Sequence, residues 1–168
     1  MNKVIDTDLP GDDPDGRIVG IAMWKFYPLQ RTEDELDAES KEREQEGFPP
    51  GFNEALAKEF LGDVAKFKRE IMGGKPHVLL NMLATRPAYH RRGIGAMQVL
   101  WGLEQADELG LPTYLEASPM GKPLYLRLGF EEVRPLPFDA RKWGHCRALQ
   151  HTILIRPVPT SKKADDES

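Results

Sequence analysis

The fold is decided by residues 78–96, which read VLLNMLATRPAYHRRGIGA. The stretch 78–84 is almost continuously apolar, which is typical of a central strand that is covered on both faces. Pro87 ends this strand, because proline cannot donate to a sheet ladder. Gly93 and Gly95 then open a helix that is predicted to extend to about Leu109. The order strand, turn, helix therefore brings the start of a helix to the end of a buried strand.

The turn between this strand and this helix is suited to binding phosphate. A helix begins with unpaired N–H groups and a partial positive charge, both of which attract anions. Gly93 and Gly95 let a ligand approach the backbone, and Arg91 and Arg92 add cationic donors. The alternative interpretation is a turn that is made flexible by its glycines and whose arginines face the solvent.

Two other phosphate-binding motifs are excluded. A Walker A loop needs the sequence Gly-Lys-Ser/Thr, which does not occur in the chain. The dinucleotide fingerprint needs a third glycine, but Gln98 occupies that position.

The flanking sequence predicts an α/β arrangement around a mixed sheet in a single domain. Strands are predicted at 3–6, 17–27, 113–117, 130–134 and 151–156, and further helices at 53–71 and 122–128. Asn53 is the expected N-cap of the helix at 53–71, and Gly73 and Gly74 are its expected stop. The first two strands are expected to form a hairpin.

A charged segment at 31–46 contains Leu36 as its only large apolar side chain. Its composition indicates either a solvated helix or mobile loop, or a docking surface for a basic partner. We assign 1–160 to the domain, with a charged helical insertion at 29–75, and expect the polar tail at 161–168 to be disordered.

Composition excludes several classes of function. A formal charge of −4 argues against non-specific nucleic-acid binding. No apolar run approaches the roughly 18 residues that span a bilayer, and the N-terminus does not resemble a signal peptide. The single cysteine, Cys146, cannot form an internal disulfide or a multi-cysteine zinc site, so we expect no metal and a cytoplasmic location. Cys146 itself is interpreted as a packing residue rather than a nucleophile.

Two motifs together resemble the GNAT superfamily of N-acetyltransferases. The sequence Tyr125-Leu126-Arg127-Leu128-Gly129-Phe130 is a complete Tyr-x-x-x-Gly-Phe motif. The sequence His90-Arg91-Arg92-Gly93-Ile94-Gly95 is similar to the family's Gln/Arg-x-x-Gly-x-Gly/Ala motif, with His90 where Gln or Arg is usual. The resemblance covers roughly 17–27 and 76–134, and Leu115-Glu116-Ala117-Ser118 is similar to fungal members. It implies a mixed, mostly antiparallel sheet flanked by helices.

The resemblance also implies that acetyl-CoA is the co-substrate and assigns roles to individual residues. The backbone of β-strand residues near 83–85 would pair with the pantetheine arm, the N–H of Leu83 would hold the thioester carbonyl, and Tyr125 would be the general acid. The cofactor-binding residues implied in this way are Leu83, Ala84, Thr85, His90, Arg91, Arg92, Gly93, Ile94, Gly95, Ala96, Ser118 and Tyr125.

The reaction implied by the resemblance is direct attack of a neutral amine on the thioester, without a covalent enzyme intermediate. The position that holds a glutamate in some relatives is Leu79 here, so another group must act as base. Glu116 is the candidate base, Asn81 could orient a water molecule, and His77, His145 and His151 are further candidates that are more often structural. The sequence leaves the base and the acceptor amine open.

The resemblance further implies that the usual N-terminal strand and two helices are absent before the hairpin. Either the acceptor groove is open, or residues 31–75 fold over it, or a second subunit of a homodimer completes it; we favour the second. The competing functional hypothesis is a catalytically degenerate module that binds acetyl-CoA or CoA as a sensor or interaction protein.

Overall fold

The centre of the protein is a six-stranded sheet with the strand order β1-β2-β3-β4-β6-β5. The computed structural model describes residues 1–9, 15–45, 47–48, 50–136, 138–144 and 150–159. Its strands are β1 (Asn2–Ile5), β2 (Ile18–Tyr27), β3 (His77–Thr85), β4 (Thr113–Ala117), β5 (Glu131–Pro135) and β6 (Thr152–Arg156). Neighbouring strands are antiparallel except β3 and β4, which are parallel. The predicted mixed, mostly antiparallel sheet is confirmed, as is the hairpin at its edge.

In the part of the chain that the structure describes, four α-helices flank this sheet: α1 (Glu33–Gln45), α2 (Glu54–Ile71), α3 (Ile94–Glu108) and α4 (Lys122–Arg127). The predicted cap of α2 is confirmed, because the side chain of Asn53 accepts a hydrogen bond from the N–H of Leu56 at 3.1 Å. Among the helices of the described residues, none is both long and apolar enough to cross a membrane.

The two faces of the sheet carry separate apolar layers. On the first face, α3 and α4 pack against residues such as Trp24, Leu80 and Leu115. On the second face, α2 packs against Leu79, Tyr114 and other side chains. Because side chains alternate along a strand, successive residues of β3 and β4 belong to opposite layers.

The buried face of α3 does not follow its large apolar side chains. Of Ile94, Met97, Leu100, Trp101 and Leu103, the side chains of Met97, Leu100 and Trp101 are 51%, 46% and 43% exposed. The buried face of the helix consists instead of Gln98, Val99, Gly102, Leu103 and Ala106. The helix has apolar side chains around most of its circumference, so the pattern alone does not select the face, and the small residues allow the closest approach to the sheet.

The expectation that β3 is covered on both faces holds only for its first half. Residues 77–80 are buried, whereas Asn81, Met82 and Ala84 are exposed. The pairing with β2 shifts register here, since Met23 faces Met82 but Trp24 faces Leu80, which leaves Asn81 as an extra residue in β3. The strand thus changes its environment halfway along its length.

The charged segment forms α1. Among the described residues, its acidic side chains form most of their ion pairs with cationic side chains of the same chain. Arg69 of α2 bonds to Asp37 at 2.6 Å and also contacts Glu33. Glu39 accepts from Tyr27 at 2.8 Å and from Arg31 at 2.8 Å, and Leu36 is buried. The helical interpretation is confirmed. The predictions for Cys146, His145 and the tail at 161–168 lie outside the described residues.

Candidate active site

A gap opens in the sheet between β3 and β4. The two strands pair only at Val78 with Thr113 and at Leu79 with Tyr114, after which they diverge. On the other side of β3, the N–H of Arg86 donates to the carbonyl oxygen of Val19 at 2.8 Å. Backbone groups alternate in direction along a strand, so the N–H groups of Leu83 and Thr85 point away from β2 and into the gap.

The start of α3 lies beside this gap and presents free N–H groups. The first bond of the helix runs from the N–H of Met97 to the carbonyl oxygen of Gly93 at 2.9 Å, so the N–H groups at 94–96 have no partner within the helix. Gly93 is the N-cap at φ 82°, a left-handed conformation in which glycine avoids the strain of a Cβ. Arg91 also has a positive φ, of 65°.

These two features border one cleft of about 560 Å³. Its walls come from β3, from the turn and first residues of α3, and from the region around α4. The lining residues are Leu83, Thr85, Tyr89, His90, Arg91, Gly93, Ile94, Gly95, Ala96, Ser118, Met120, Gly121, Pro123, Leu124, Tyr125 and Arg127.

The cleft brings together most of the residues predicted from the sequence, but not all. Ala84 and Arg92 do not line it. Ala84 borders a separate groove with Ile21. The guanidinium of Arg92 lies 4.8 Å from the centre of the Tyr89 ring, at the rim of the cleft. Among the described residues, the segment 29–75 contributes no side chain to the lining.

His90 contacts the backbone of β3. Its Nε2 lies 3.0 Å from the carbonyl oxygen of Thr85, which holds the start of the turn against the end of the strand. The ring therefore stands at the mouth of the gap, where the motif usually carries Gln or Arg.

Tyr125 lies at the inner wall of the cleft and is 7% exposed. Burial raises the pKa of its hydroxyl to about 12, so the group is protonated at neutral pH. The ring packs edge-on against Phe130 at a centroid distance of 5.7 Å. The Oγ of Ser118 accepts from the N–H of Gly121 at 3.1 Å, which fixes the turn that leads into α4.

Glu116 lies on β4 outside the cleft lining. It lies two residues after Tyr114 on the same strand, so the two side chains lie on the same face of the sheet. This is the second face, opposite to Tyr125. Burial and the neighbouring Glu116 carboxylate both raise the pKa of Tyr114. His77 is fully buried at the far end of β3, and burial lowers its pKa, so it is a neutral packing residue rather than a group of this site.

The sequence interpretation missed several residues of the cleft. Tyr89 lies in the turn between strand and helix. Its position four residues before Gly93 could have indicated that it lies near the cleft. Met120, Gly121, Pro123, Leu124 and Arg127 surround Tyr125 along α4 and its preceding turn. Their proximity in sequence to the Tyr-x-x-x-Gly-Phe motif indicated the segment but not which side chains face inwards.

Comparison with known proteins agrees with this geometry. The family profile described as "Acetyltransferase (GNAT) family" matches residues 12–130. A probable acyltransferase, SID5 of Ajellomyces capsulatus, is 40% identical over 55 residues, which cover 33% of this chain and 40% of that protein. This chain therefore aligns with less than half of the length of that relative.

Two solved structures share the fold. The mosquito arylalkylamine N-acetyltransferase like 5b superposes with a TM-score of 0.59 at 15% identity, covering 83% of this chain and 68% of that one. Chaetomium thermophilum Naa20, solved with a bisubstrate analogue, superposes with a TM-score of 0.51 at 16% identity, covering 88% and 64%.

Proposed function

The chain belongs to the acetyltransferase (GNAT) family, and from this premise we propose that it is an acetyl-CoA-dependent N-acetyltransferase. The acetyl group moves to a primary amine by direct attack within a ternary complex. The acceptor amine is unassigned.

The observation that carries the proposal is the continuity of the cleft. A CoA ester needs an anion site for its diphosphate beside a slot for its extended pantetheine arm. The free N–H groups at 94–96 supply the first, and the diverging edge of β3 supplies the second. The residues present therefore fit this co-substrate, and Arg91 adds a cation at the phosphate end.

Leu83 is proposed to stabilise the thioester carbonyl through its N–H. This group points into the gap and has no strand partner there, because β4 has already diverged. A backbone donor fixed in a strand is preorganised for the negative charge that develops on the oxygen during attack.

Tyr125 is proposed to donate the proton that the departing thiolate takes up. Its hydroxyl is protonated at neutral pH, since burial holds its pKa at about 12. It approaches the gap from the first face of the sheet, on the side of α3 and α4. Ser118, which lines the same wall, is assigned to the thiol end of the co-substrate.

The acceptor is proposed to enter from the second face. Glu116 lies on β4 and, by the alternation of side chains along the strand, belongs to that face, so it is proposed as the base, with Tyr125 acting from the opposite face. This arrangement separates the base that takes the amine proton from the acid that protonates the thiol. Helix α2 covers the neighbouring part of the same face, which makes the segment 29–75 a border of the acceptor groove.

The test is calorimetric titration with acetyl-CoA and with CoA, followed by an assay of thiol release with a panel of primary amines. Micromolar binding and amine-dependent thiol release are expected. Binding without release for any amine would favour the CoA-binding module instead. Absence of binding by the wild-type chain would contradict both hypotheses.

A further inference from the structure

A hydrogen bond joins the edge strand of the sheet to the turn that precedes α3. The hydroxyl of Tyr89 donates to Oδ2 of Asp6 at 2.7 Å, across 83 positions of sequence. Tyr89 occupies the short 3-10 turn Pro87–Tyr89, and Asp6 directly follows β1. The contact is partly buried and connects two segments that have no strand pairing with each other.

The Asp6 carboxylate is itself held in place. Its Oδ1 accepts from the N–H of Asp8 at 3.0 Å, while its own N–H donates to the carbonyl oxygen of Arg17 at 3.0 Å. The acceptor that meets Tyr89 is therefore fixed by the backbone on both sides. The tyrosine bonds to a rigid anchor rather than to a mobile surface side chain.

Tyr89 in turn supports Arg92. The guanidinium of Arg92 lies over the ring at 4.8 Å from its centre, while the two residues that flank Arg92 both line the cleft. A cation over an aromatic face is attracted by the ring and loses freedom of movement. Arg92 is thus held at the rim of the cleft, next to the free N–H groups of α3.

The same turn contains an unfavourable backbone conformation. Arg91 has a φ of 65°, which is costly for a residue that carries a Cβ. Such a conformation persists only when neighbouring contacts hold it. The two contacts of Tyr89, one to Asp6 and one to Arg92, lie immediately beside this residue.

We infer that Tyr89 and Asp6 are positioning residues for the diphosphate of CoA: their hydrogen bond holds the turn at 87–93, with Arg92 on it, in the conformation that receives the anion. This inference rests on the proposed function. It assigns neither residue to the chemical step, so it predicts an effect on the affinity for CoA and not on turnover.

The test compares Tyr89→Phe with the wild type by calorimetric titration with CoA, 3′-dephospho-CoA and pantetheine. The dissociation constant for CoA should rise about tenfold, as expected for the loss of a hydrogen bond to a charged group. The constant for 3′-dephospho-CoA, which keeps the diphosphate, should rise by the same factor. Pantetheine, which lacks the diphosphate, should bind to both proteins equally.

Tyr27→Phe is the matched control. The Tyr27 hydroxyl also donates to a carboxylate, that of Glu39, at 2.8 Å, in a partly buried contact outside the cleft. This variant loses the same kind of bond and should keep the wild-type affinity for CoA. Equal weakening in both variants would mean a general loss of stability and would overturn the inference.

A double-mutant cycle tests independently whether Tyr89 and Asp6 act through the same hydrogen bond. Asp6→Ala removes the acceptor, and should weaken CoA binding by the same factor as Tyr89→Phe. The double variant should bind no more weakly than either single variant, because the same bond is lost. Asp6→Asn keeps one acceptor oxygen where Asp6 uses two, so it should restore the affinity only in part.

Three further results would overturn the inference while leaving the proposed function intact. These are an unchanged CoA affinity in Tyr89→Phe, an equal loss for pantetheine, and additive effects in the cycle. Failure of the wild-type chain to bind CoA at all would instead contradict the proposed function.

Discussion

Gly102 of α3 lies directly against the indole ring of Trp24 on β2. A Cβ built at position 102 would lie 2.6 Å from Cη2 of Trp24 and closer still to two other ring atoms. Trp24 is 8% exposed and belongs to the first apolar layer, so the ring cannot move aside without disturbing the core. This contact sets the distance between α3 and the sheet, and with it the position of the helix start at the cleft.

The substitution Gly102→Ala should therefore destabilise the protein. Alanine favours a helix over glycine by about 1 kcal/mol, but overpacking against the indole should cost more, for a net loss of roughly 2 kcal/mol. Gly62→Ala in α2 is the matched control, because a Cβ there meets no atom within 4 Å and should stabilise the protein by about 1 kcal/mol. Chemical denaturation measures both. Equal effects in the two variants would contradict the packing argument.

Gly95→Ala should separate binding from stability. A Cβ at position 95 would be in ordinary contact with Leu124 at 3.5 Å, so the fold should tolerate it. The same methyl group would face the cleft, where the diphosphate is proposed to approach the helix start. We expect a melting temperature no lower than that of the wild type together with weaker CoA binding. Calorimetry with unchanged affinity would show that the co-substrate does not approach this backbone.

Gly93→Ala should act through conformation, since nothing lies within 4 Å of a Cβ at that position. The φ of 82° is left-handed and should cost an alanine about 1 kcal/mol. Both stability and CoA affinity should fall, which distinguishes this variant from Gly95→Ala in the same two measurements. A fully stable Gly93→Ala variant would mean that the turn readily adopts another conformation.

Tyr125→Phe should lower kcat about 100-fold while changing the dissociation constant for CoA less than twofold. The ring and its contact with Phe130 remain, and only the proton donor is lost. Since burial raises the pKa of Tyr125 to about 12, ionisation of this group should not reduce the activity of the wild type between pH 7 and roughly 10. Full activity in the variant, measured by thiol release, would remove Tyr125 from the mechanism.

Glu39 should make the stability of the protein sensitive to acid. Burial by itself would raise the pKa of Glu39, but the hydrogen bond from Tyr27 and the charges of Lys68 and Lys25 outweigh it and lower the pKa to about 2 from 4.5. A lowered pKa in the folded state means that the stabilisation is fully present above about pH 4.5 and is lost as the pH falls towards 2. This difference sets an upper bound of roughly 3 kcal/mol, which solvent screening of the partly exposed carboxylate reduces.

Denaturation of the wild type and of Glu39→Gln between pH 7 and pH 3 measures this effect. The wild type should be the more stable protein at neutral pH, and its advantage should shrink below about pH 4.5 as Glu39 becomes protonated in the unfolded chain while it stays ionised in the folded one. An advantage that stays constant over the whole range would show that the carboxylate charge does not hold α1 to β2 and α2.

Some strands, helices and site residues could be predicted from the sequence, and others could not. Strand β3, the start of α3 and the Tyr125 motif follow from local patterns, because glycine, proline and apolar runs act through the backbone close to them. The buried face of α3 did not follow, since Met97 and Trp101 are as apolar as Leu103. Tyr89 was missed because its partner, Asp6, is remote in sequence.

The sequence by itself determined the order of strands and helices, the glycine-containing turn at 91–96 and the family to which the chain belongs. These depend on residues that are neighbours along the chain, whose conformational preferences need no distant partner. Only the tertiary structure decided where β3 and β4 separate, that Glu116 and Tyr125 lie on opposite faces of the gap, and that Asp6 anchors Tyr89. Such relations arise when chain segments that are far apart pack together, and the burial that fixes them belongs to the whole sheet rather than to any one segment.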